Sequence, residues 1–378
     1  MTLRFGIAGL GTAGLAFIPP LLARPDVRLV AVADPDPNAA IPPDIAAYPS
    51  LKEMLKHDGL DAVIIATPTP LHCAHATAAL AAGMHVILEK PMAANLAEAE
   101  MIQRVARTAH RALLIGHSHS FDLPVQRMRA IIASGRLGKV RMIQTAAYTD
   151  WMYRPRRADE LIASQGGGVV MRQGAHQFDI IRLLGGGDLV EVTAQTFDWD
   201  PNRPGIGAHQ AFLRFASGVT ATALYNGYGG LGMAELTQGV GEWGFAEPPT
   251  VPSLRIPPAD VADAKRRRAK ASDKSQAPFQ PHFGLTVVSC ERGDIRQSPQ
   301  GLIVYSPEGR EDIALPSGQI PHAMLLDEFM DSLAGRRAML HDGRWGVANL
   351  EVCLAVMQSA ERGAPVRLVH QYALEDAA

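Results

Sequence analysis

Along the first third of the chain, short apolar runs alternate with longer stretches whose apolar positions recur every three or four residues. The segments "LRFGIAGLG", "VRLVAVAD", "LDAVIIATPTPLH", "HVILEKP" and "RALLIGH" read as strands buried on both faces. Helical stretches such as "HCAHATAALAAG" lie between them. This alternation predicts a doubly wound α/β domain, a parallel sheet with helices on both sides. Beyond residue 122 the pattern changes. "GKVRMIQTAAYTDW", "LVEVTAQTFDW", "HQAFLRFASGVTATALYNGY", "LTVVSCERGDIRQSP" and "GLIVYSPEGREDIAL" are strands joined by tight-turn signals, as in an open, mostly antiparallel sheet. A helix over 166–184 is expected on one face, and "HAMLLDEFMDSLAG" and "GRWGVANLEVCLAVMQSAERG" read as two closing helices. The expected organisation is a dinucleotide-binding domain over 1–122 and an α+β substrate and oligomerisation domain over 123–378. Residues 229–283 break the sheet pattern with glycine, proline and charge, and read as a lid, a subunit arm or a disordered insertion.

Composition narrows the class without naming a function. A chain of 378 residues exceeds the size at which single cores stop growing. With 47% hydrophobic and 20% charged residues and a formal net charge of −2, it reads as a globular protein with no call for nucleic acid or anionic membrane. The basic run "KRRRAK" is expected to be a solvated face. Three scattered cysteines, Cys73, Cys290 and Cys353, fit a reducing, cytoplasmic setting and argue against a disulfide framework or thiolate metal site. No signal peptide and no membrane span are expected.

The chemistry starts at Gly9-x-Gly11-x-x-Gly14, which follows the first strand and opens a helix. There the glycines permit a tight turn, backbone approach to a pyrophosphate and close helix–strand packing. The second strand ends in Asp34, 20 residues after Gly14, where a carboxylate can accept both ribose hydroxyls. No arginine follows in "DPDPNAA" to neutralise a 2′-phosphate, so NAD is expected over NADP. The fourth strand ends in Glu89-Lys90-Pro91, on the crevice edge where such folds bind ligands. An ammonium at Lys90 can hydrogen-bond a substrate hydroxyl, and with a lowered pKa it can take the proton. Glu89 reads as a nicotinamide-ribose ligand or as a partner of Lys90, and His72 as a cofactor contact or a helix cap. Further on, "GGGVVMRQGAHQFD" places Arg172, His176 and Asp179 at helical spacings of four and three.

The glycine triplet, Asp34, "ATPTPLH", Glu89-Lys90-Pro91, "SGRLGKV" and the 166–179 segment together resemble the Gfo/Idh/MocA oxidoreductases over most of the chain. The resemblance implies that Lys90 is the central catalytic residue, joined by His176, whose other reading is a buried histidine that holds its helix. It implies cofactor contacts from Gly9, Gly11, Thr12, Ala13, Gly14, Asp34, Thr67, Pro68, His72, Glu89 and Lys90. His117 and His119 would border the active site without a metal. A partner subunit would cover the open sheet, giving a homodimer or homotetramer. The family usually carries an aspartate four residues before the histidine; here Arg172 stands there. A guanidinium cannot act as a base. It can clamp a carboxylate with two parallel hydrogen bonds, or else form a structural ion pair with Asp179 or Glu160. Arg154, Arg156 and Arg157 would enlarge a cationic pocket, and Trp151 and Tyr153 would offer aromatic faces, with His119 also at the substrate. "GHSHSFD" and "RQGAHQFDIIRLLGGG" resemble the branch that oxidises phthalate cis-dihydrodiol, implying an anionic cyclic diol as substrate. Three further readings stand beside it: a sugar or inositol-like polyol dehydrogenase, an NAD-dependent glycoside hydrolase and a non-enzymatic NAD sensor.

Overall fold

A computed structural model of the chain describes residues 2–248, 261, 264–265 and 276–374. The first sheet holds β1 (Leu3–Ala8), β2 (Val27–Ala33), β3 (Ala46–Tyr48), β4 (Ala62–Ile65), β5 (His85–Glu89) and β6 (Leu113–Gly116). It is six-stranded, in the order β3-β2-β1-β4-β5-β6, and every pairing is parallel. A parallel sheet is covered on both faces, so its strands must be apolar throughout, and every residue of β4 is buried.

The second sheet has nine strands: β7 (Val140–Tyr148), β8 (Leu189–Phe197), β9 (Ala208–Phe215), β10 (Thr220–Asn226), β11 (Leu285–Cys290), β12 (Gly293–Ser298), β13 (Gly301–Ser306), β14 (Gly309–Ala314) and β15 (Val366–Arg367). Its order is β14-β13-β12-β11-β7-β10-β9-β8-β15, antiparallel except where β7 meets β10. Along β9, Ala211, Leu213 and Phe215 turn inward while Gln210, Phe212 and Arg214 are exposed, the alternation of a sheet covered on one side. The helix Ala175–Gly185 covers the inner face, touching β7 and β10.

Two features depart from the sequence reading. The helix Pro321–Leu333 does not close the second domain: Leu325, Leu326, Phe329 and Met330 pack with Phe5 and Ile7 of the first sheet and with Phe17 and Leu21 of the helical segment after β1. An amphipathic stripe requires an apolar partner, and here the first sheet's uncovered face supplies it. The 166–184 segment is not one regular helix either. Val170–Gly174 is a π-turn that runs into the α-helix at Ala175. The wider turn separates Arg172 from the face shared by His176 and Asp179.

Candidate active site

Five loops meet at the carboxyl ends of the first sheet's strands, the crevice where doubly wound folds bind ligands. After β1 the chain turns at Gly9, whose φ of +92° is a left-handed conformation and whose added Cβ would lie 2.6 Å from the Ala66 carbonyl oxygen. A Cβ on Gly14 would strike the Gly9 carbonyl oxygen at 1.9 Å, whereas one on Gly11 would meet nothing within 4 Å. The loop is therefore packed tight behind and bare in front, where Gly11 and Thr12 are exposed at the start of the helix. Asp34, at the end of β2, accepts the Leu10 amide at 2.6 Å on one carboxylate oxygen and the Asp36 amide at 2.9 Å on the other. Each oxygen keeps a lone pair for a ligand. Amides at a helix start beside an anchored carboxylate suit a pyrophosphate and a ribose diol, so the residues present fit a dinucleotide.

The loop after β4 carries Thr67 and Pro68. Thr67 Oγ1 bonds His75 Nδ1 at 3.0 Å. His72 corrects the expectation of a cofactor contact or helix cap. It is buried, with its ring nitrogens 2.9 Å from the Pro91 carbonyl oxygen and 2.8 Å from that of Thr67. The ring is a strut between two loops, and burial pushes its pKa down to about 4.

Lys90 follows β5, with a cis peptide bond to Pro91. Its Nζ donates to the main-chain carbonyl of Arg172 at 2.8 Å, inside the π-turn. Burial and the neighbouring Arg172 guanidinium push the ammonium down to about 8, against the pull of Glu89 and Glu242. Glu89 is buried and its carboxylate accepts the Lys90 amide at 3.3 Å. His176 is also buried, and burial, then Lys90 and His119, hold it well below its ordinary pKa. Its Nδ1 has no hydrogen-bond partner among the described residues. The His119 ring stands edge-on to it at 4.7 Å. Burial disfavours the charged form of His119, but Asp122, at 2.8 Å, and Glu242, at 3.6 Å, outweigh it and raise the pKa to about 9. Asp179 does not face Arg172: it accepts Ser120 Oγ and, at 2.5 Å, Trp345 Nε1. Those bonds tie the helix bearing His176 to the first domain and to the helix Gly343–Arg362. Among the described residues, no group of three His, Cys, Asp or Glu side chains is arranged to hold a metal ion.

Arg172 reaches away from Lys90 with its side chain. It donates to Thr69 Oγ1 at 3.2 Å and pairs with Glu160 at 3.5 Å, leaving its side chain 23% exposed. Arg156, at 3.9 Å, and Lys265 pair with the same Glu160 carboxylate. Burial opposes the charge on Glu160, but Lys265, Arg172 and Arg156 override it and bring the pKa down to about 2. One buried carboxylate thus faces three cations. The remaining arginines are engaged locally, Arg154 with Asp150 and Arg157 with Asp159. The expected aromatic faces are occupied. Trp151 is buried beneath the Arg156 guanidinium, 4.0 Å from the ring centre. Tyr153, buried, meets Tyr228, and both line a cavity of about 480 Å³ with Tyr148 and Trp199.

The sequence reading offered Glu160 as an ion-pair partner of Arg172, the pair found here, and missed Lys265, Glu242 and Trp243. Residues 229–248 and 276–283 are ordered against the site: Trp243 and Phe283 lie on the His119 ring, and Phe283 also touches His176. Apart from Lys265, the "KRRRAK" run lies outside the described residues. All three cysteines are free, and no helix among the described residues is long and apolar enough to cross a membrane.

A glycine-bound dinucleotide cleft with a depressed lysine and a neutral histidine at its mouth defines a nicotinamide-dependent oxidoreductase. Residues 3–117 match the oxidoreductase family with an NAD-binding Rossmann fold, and residues 125–230 match the GFO/IDH/MocA C-terminal domain. The chain belongs to the Gfo/Idh/MocA family and is an NAD-dependent dehydrogenase. It is 34% identical to the 1-carboxy-3-chloro-3,4-dihydroxycyclo hexa-1,5-diene dehydrogenase of Comamonas testosteroni, over 95% of both chains. A crystal structure from Bordetella bronchiseptica RB50 superposes with a TM-score of 0.90 at 36% identity, covering 97% of this chain and 100% of that one. The WlbA dehydrogenase of Bordetella pertussis, crystallised with NADH and UDP-GlcNAcA, shares the fold at 21% identity and a TM-score of 0.73, over 98% and 99% of the two chains.

Proposed function

We propose that the chain oxidises a carboxylated cyclic cis-diol, and that the ring then loses a proton to give a dihydroxy-aromatic acid. The observation that carries this is the convergence of Arg172, Arg156 and Lys265 on the single carboxylate of Glu160. Three cations gathered on one carboxylate make this side of the site cationic beside Lys90. A substrate carboxylate relieves that charge, and a neutral polyol does not. The name of the Comamonas relative, a ring diol bearing a carboxyl group, supports the same class.

In this reading Gly11, Thr12 and Ala13 approach the pyrophosphate, Gly9 and Gly14 pack the turn behind them, and Asp34 holds the adenosine ribose. Thr67, Pro68 and Glu89 line the path to the nicotinamide. Bound NAD supplies the hydride acceptor. Lys90, as the neutral amine, accepts the proton of the reacting hydroxyl, with His176 neutral beside it to accept a hydrogen bond from the second hydroxyl of the diol. The carbinol C–H leaves as hydride and the O–H as a proton, giving a ketone. Loss of a ring proton and its return to the carbonyl oxygen make the second phenolic hydroxyl.

The test is absorbance at the reduced-nicotinamide band with the carboxylated diol, its decarboxylated analogue and myo-inositol. Reduction with the first, and at least about tenfold less with the others, is expected, the factor that about 1.4 kcal/mol of discrimination supplies. Faster turnover of inositol would overturn the reading.

A further inference from the structure

Between β10 and β11 the chain forms a small hairpin that roofs the active site. The Gly241 amide donates to the Phe245 carbonyl at 2.8 Å, and the Glu247 amide to that of Gly239 at 3.0 Å. His282, just before β11, pins it down. Its main-chain amide donates to the Glu242 carbonyl at 3.0 Å, and its Nε2 to the Val240 carbonyl at 2.9 Å. The His282 tautomer follows from its other nitrogen: Nδ1 accepts the Gly284 amide at 3.1 Å, so the proton sits on Nε2. The hairpin backbone is therefore held on both sides of residue 241, and the Glu242 side chain is delivered to His119 by fixed geometry.

His119 receives two carboxylates, one at each ring nitrogen. Asp122, fully buried, bonds Nδ1 at 2.8 Å; Glu242, 24% exposed, faces Nε2 at 3.6 Å. The second oxygen of Asp122 has no hydrogen-bond partner among the described residues. Trp243 and Phe283 close over the ring, and His176 meets its edge. The titratable groups around His119 are thus Asp122, Glu242, His176 and His282, with Lys90 beyond His176.

We propose that Glu242 is a positioning residue for hydride transfer: from the roof hairpin it pairs with His119 and, together with Asp122, keeps that ring protonated, so that the adjoining His176 stays neutral and able to accept a hydrogen bond from the substrate's second hydroxyl. A cation 4.7 Å from His176 disfavours a second one there. His119 thereby has a role distinct from substrate contact, and an element outside both matched family segments completes the site. The inference uses the dehydrogenase reaction and holds whatever the diol is.

The test is a proton NMR titration of the free enzyme, with the His119 ring signal identified by its loss in His119→Gln. Wild-type His119 should titrate well above an ordinary histidine. In Glu242→Gln its midpoint should fall by about one unit or more, the effect of losing an opposite charge within a few ångströms. Glu242→Asp should restore part of the shift. Trp243→Leu, which removes packing and keeps the charge, should leave the midpoint high. With the carboxylated diol, or whichever alcohol the enzyme turns over, Glu242→Gln should lower kcat at a pH between the two His119 midpoints, where only the wild-type ring is charged, with the KM for NAD unchanged. A His119 midpoint that does not move in Glu242→Gln overturns the proposal, as does an equal fall in Trp243→Leu. Absence of turnover on the carboxylated diol alone would count against the substrate reading and leave the NMR result to decide this one.

Discussion

Lys90 Nζ donates to the main-chain carbonyl of Arg172 at 2.8 Å, while the guanidinium of the same arginine points to Thr69 and Glu160. One residue therefore serves two ends of the site. Its backbone aims the lysine, and its charge helps to depress it. Replacing Lys90 with Met should lower turnover by about 10²-fold or more, the range of a positioned proton-transfer group, while NAD binding measured by calorimetry persists. Near-normal turnover would remove Lys90 from the mechanism.

The depressed ammonium sets a pH dependence. A lysine near 8 is protonated below that value and neutral above it, and only the neutral amine takes a proton. The kcat/KM for the alcohol should therefore climb as pH rises through about 8, since that ratio reports groups of the free enzyme. A profile flat from pH 7 to 9 would assign proton removal elsewhere.

Arg172→Met tests the clamp. Its contact with Glu160 is long, and two other cations hold that carboxylate, so the fold should survive the loss. Truncating a charged partner of a bound carboxylate costs about 2–5 kcal/mol when buried. Arg172 is partly exposed, so the lower end applies: about 2 kcal/mol, or roughly 30-fold in kcat/KM for the carboxylated diol. The decarboxylated analogue should be affected far less. Equal losses on both would make the Glu160 pair purely structural.

What the sequence made legible was local. Gly9, Asp34 and Lys90 each follow a strand, and Gly11 and Gly14 open the helix after the first, so a strand pattern plus a turn places them without knowledge of the rest. Glu160 and Lys265 lie 105 residues apart, and no periodicity joins them. The same holds for His119 and Glu242, brought together by a hairpin with no strand signature. The spacing of Arg172 and His176 was visible, but the π-turn that separates their side chains leaves no mark on a 3.6-residue pattern. Likewise Leu325, Leu326 and Phe329 declared a buried stripe without saying which sheet would bury it.

The outer face of the second sheet bears on assembly. Met142 and Phe212 are exposed there, with Leu224, Leu285 and Val287 half-buried beside them. A one-layer sheet with apolar residues outside calls for a cover, and association into a dimer or tetramer is expected. Light scattering at micromolar concentration should give a mass above that of one chain, and Phe212→Lys should shift it toward monomer. A wild-type monomer would contradict this.

Cofactor choice rests on the turn after β2. The Asp34 carboxylate is fixed by the Leu10 and Asp36 amides, so it cannot swing aside to admit a 2′-phosphate. Asp36 adds a second carboxylate to the same turn, and no arginine lies within it. A phosphate placed there meets like charge, which costs several kcal/mol across an interface, while a ribose diol gains two charge-assisted hydrogen bonds, each worth about 1.5–3 kcal/mol. Steady-state kinetics should accordingly favour NAD over NADP by about 10²-fold or more, the ratio about 3 kcal/mol produces. Asp34→Ser should narrow that ratio from both sides. It removes the repulsion, so NADP improves. It also removes the diol acceptor and the Leu10 anchor, so NAD worsens. More efficient use of NADP by the wild type would refute the assignment of Asp34, and an unchanged ratio in the variant would move the selectivity to another residue.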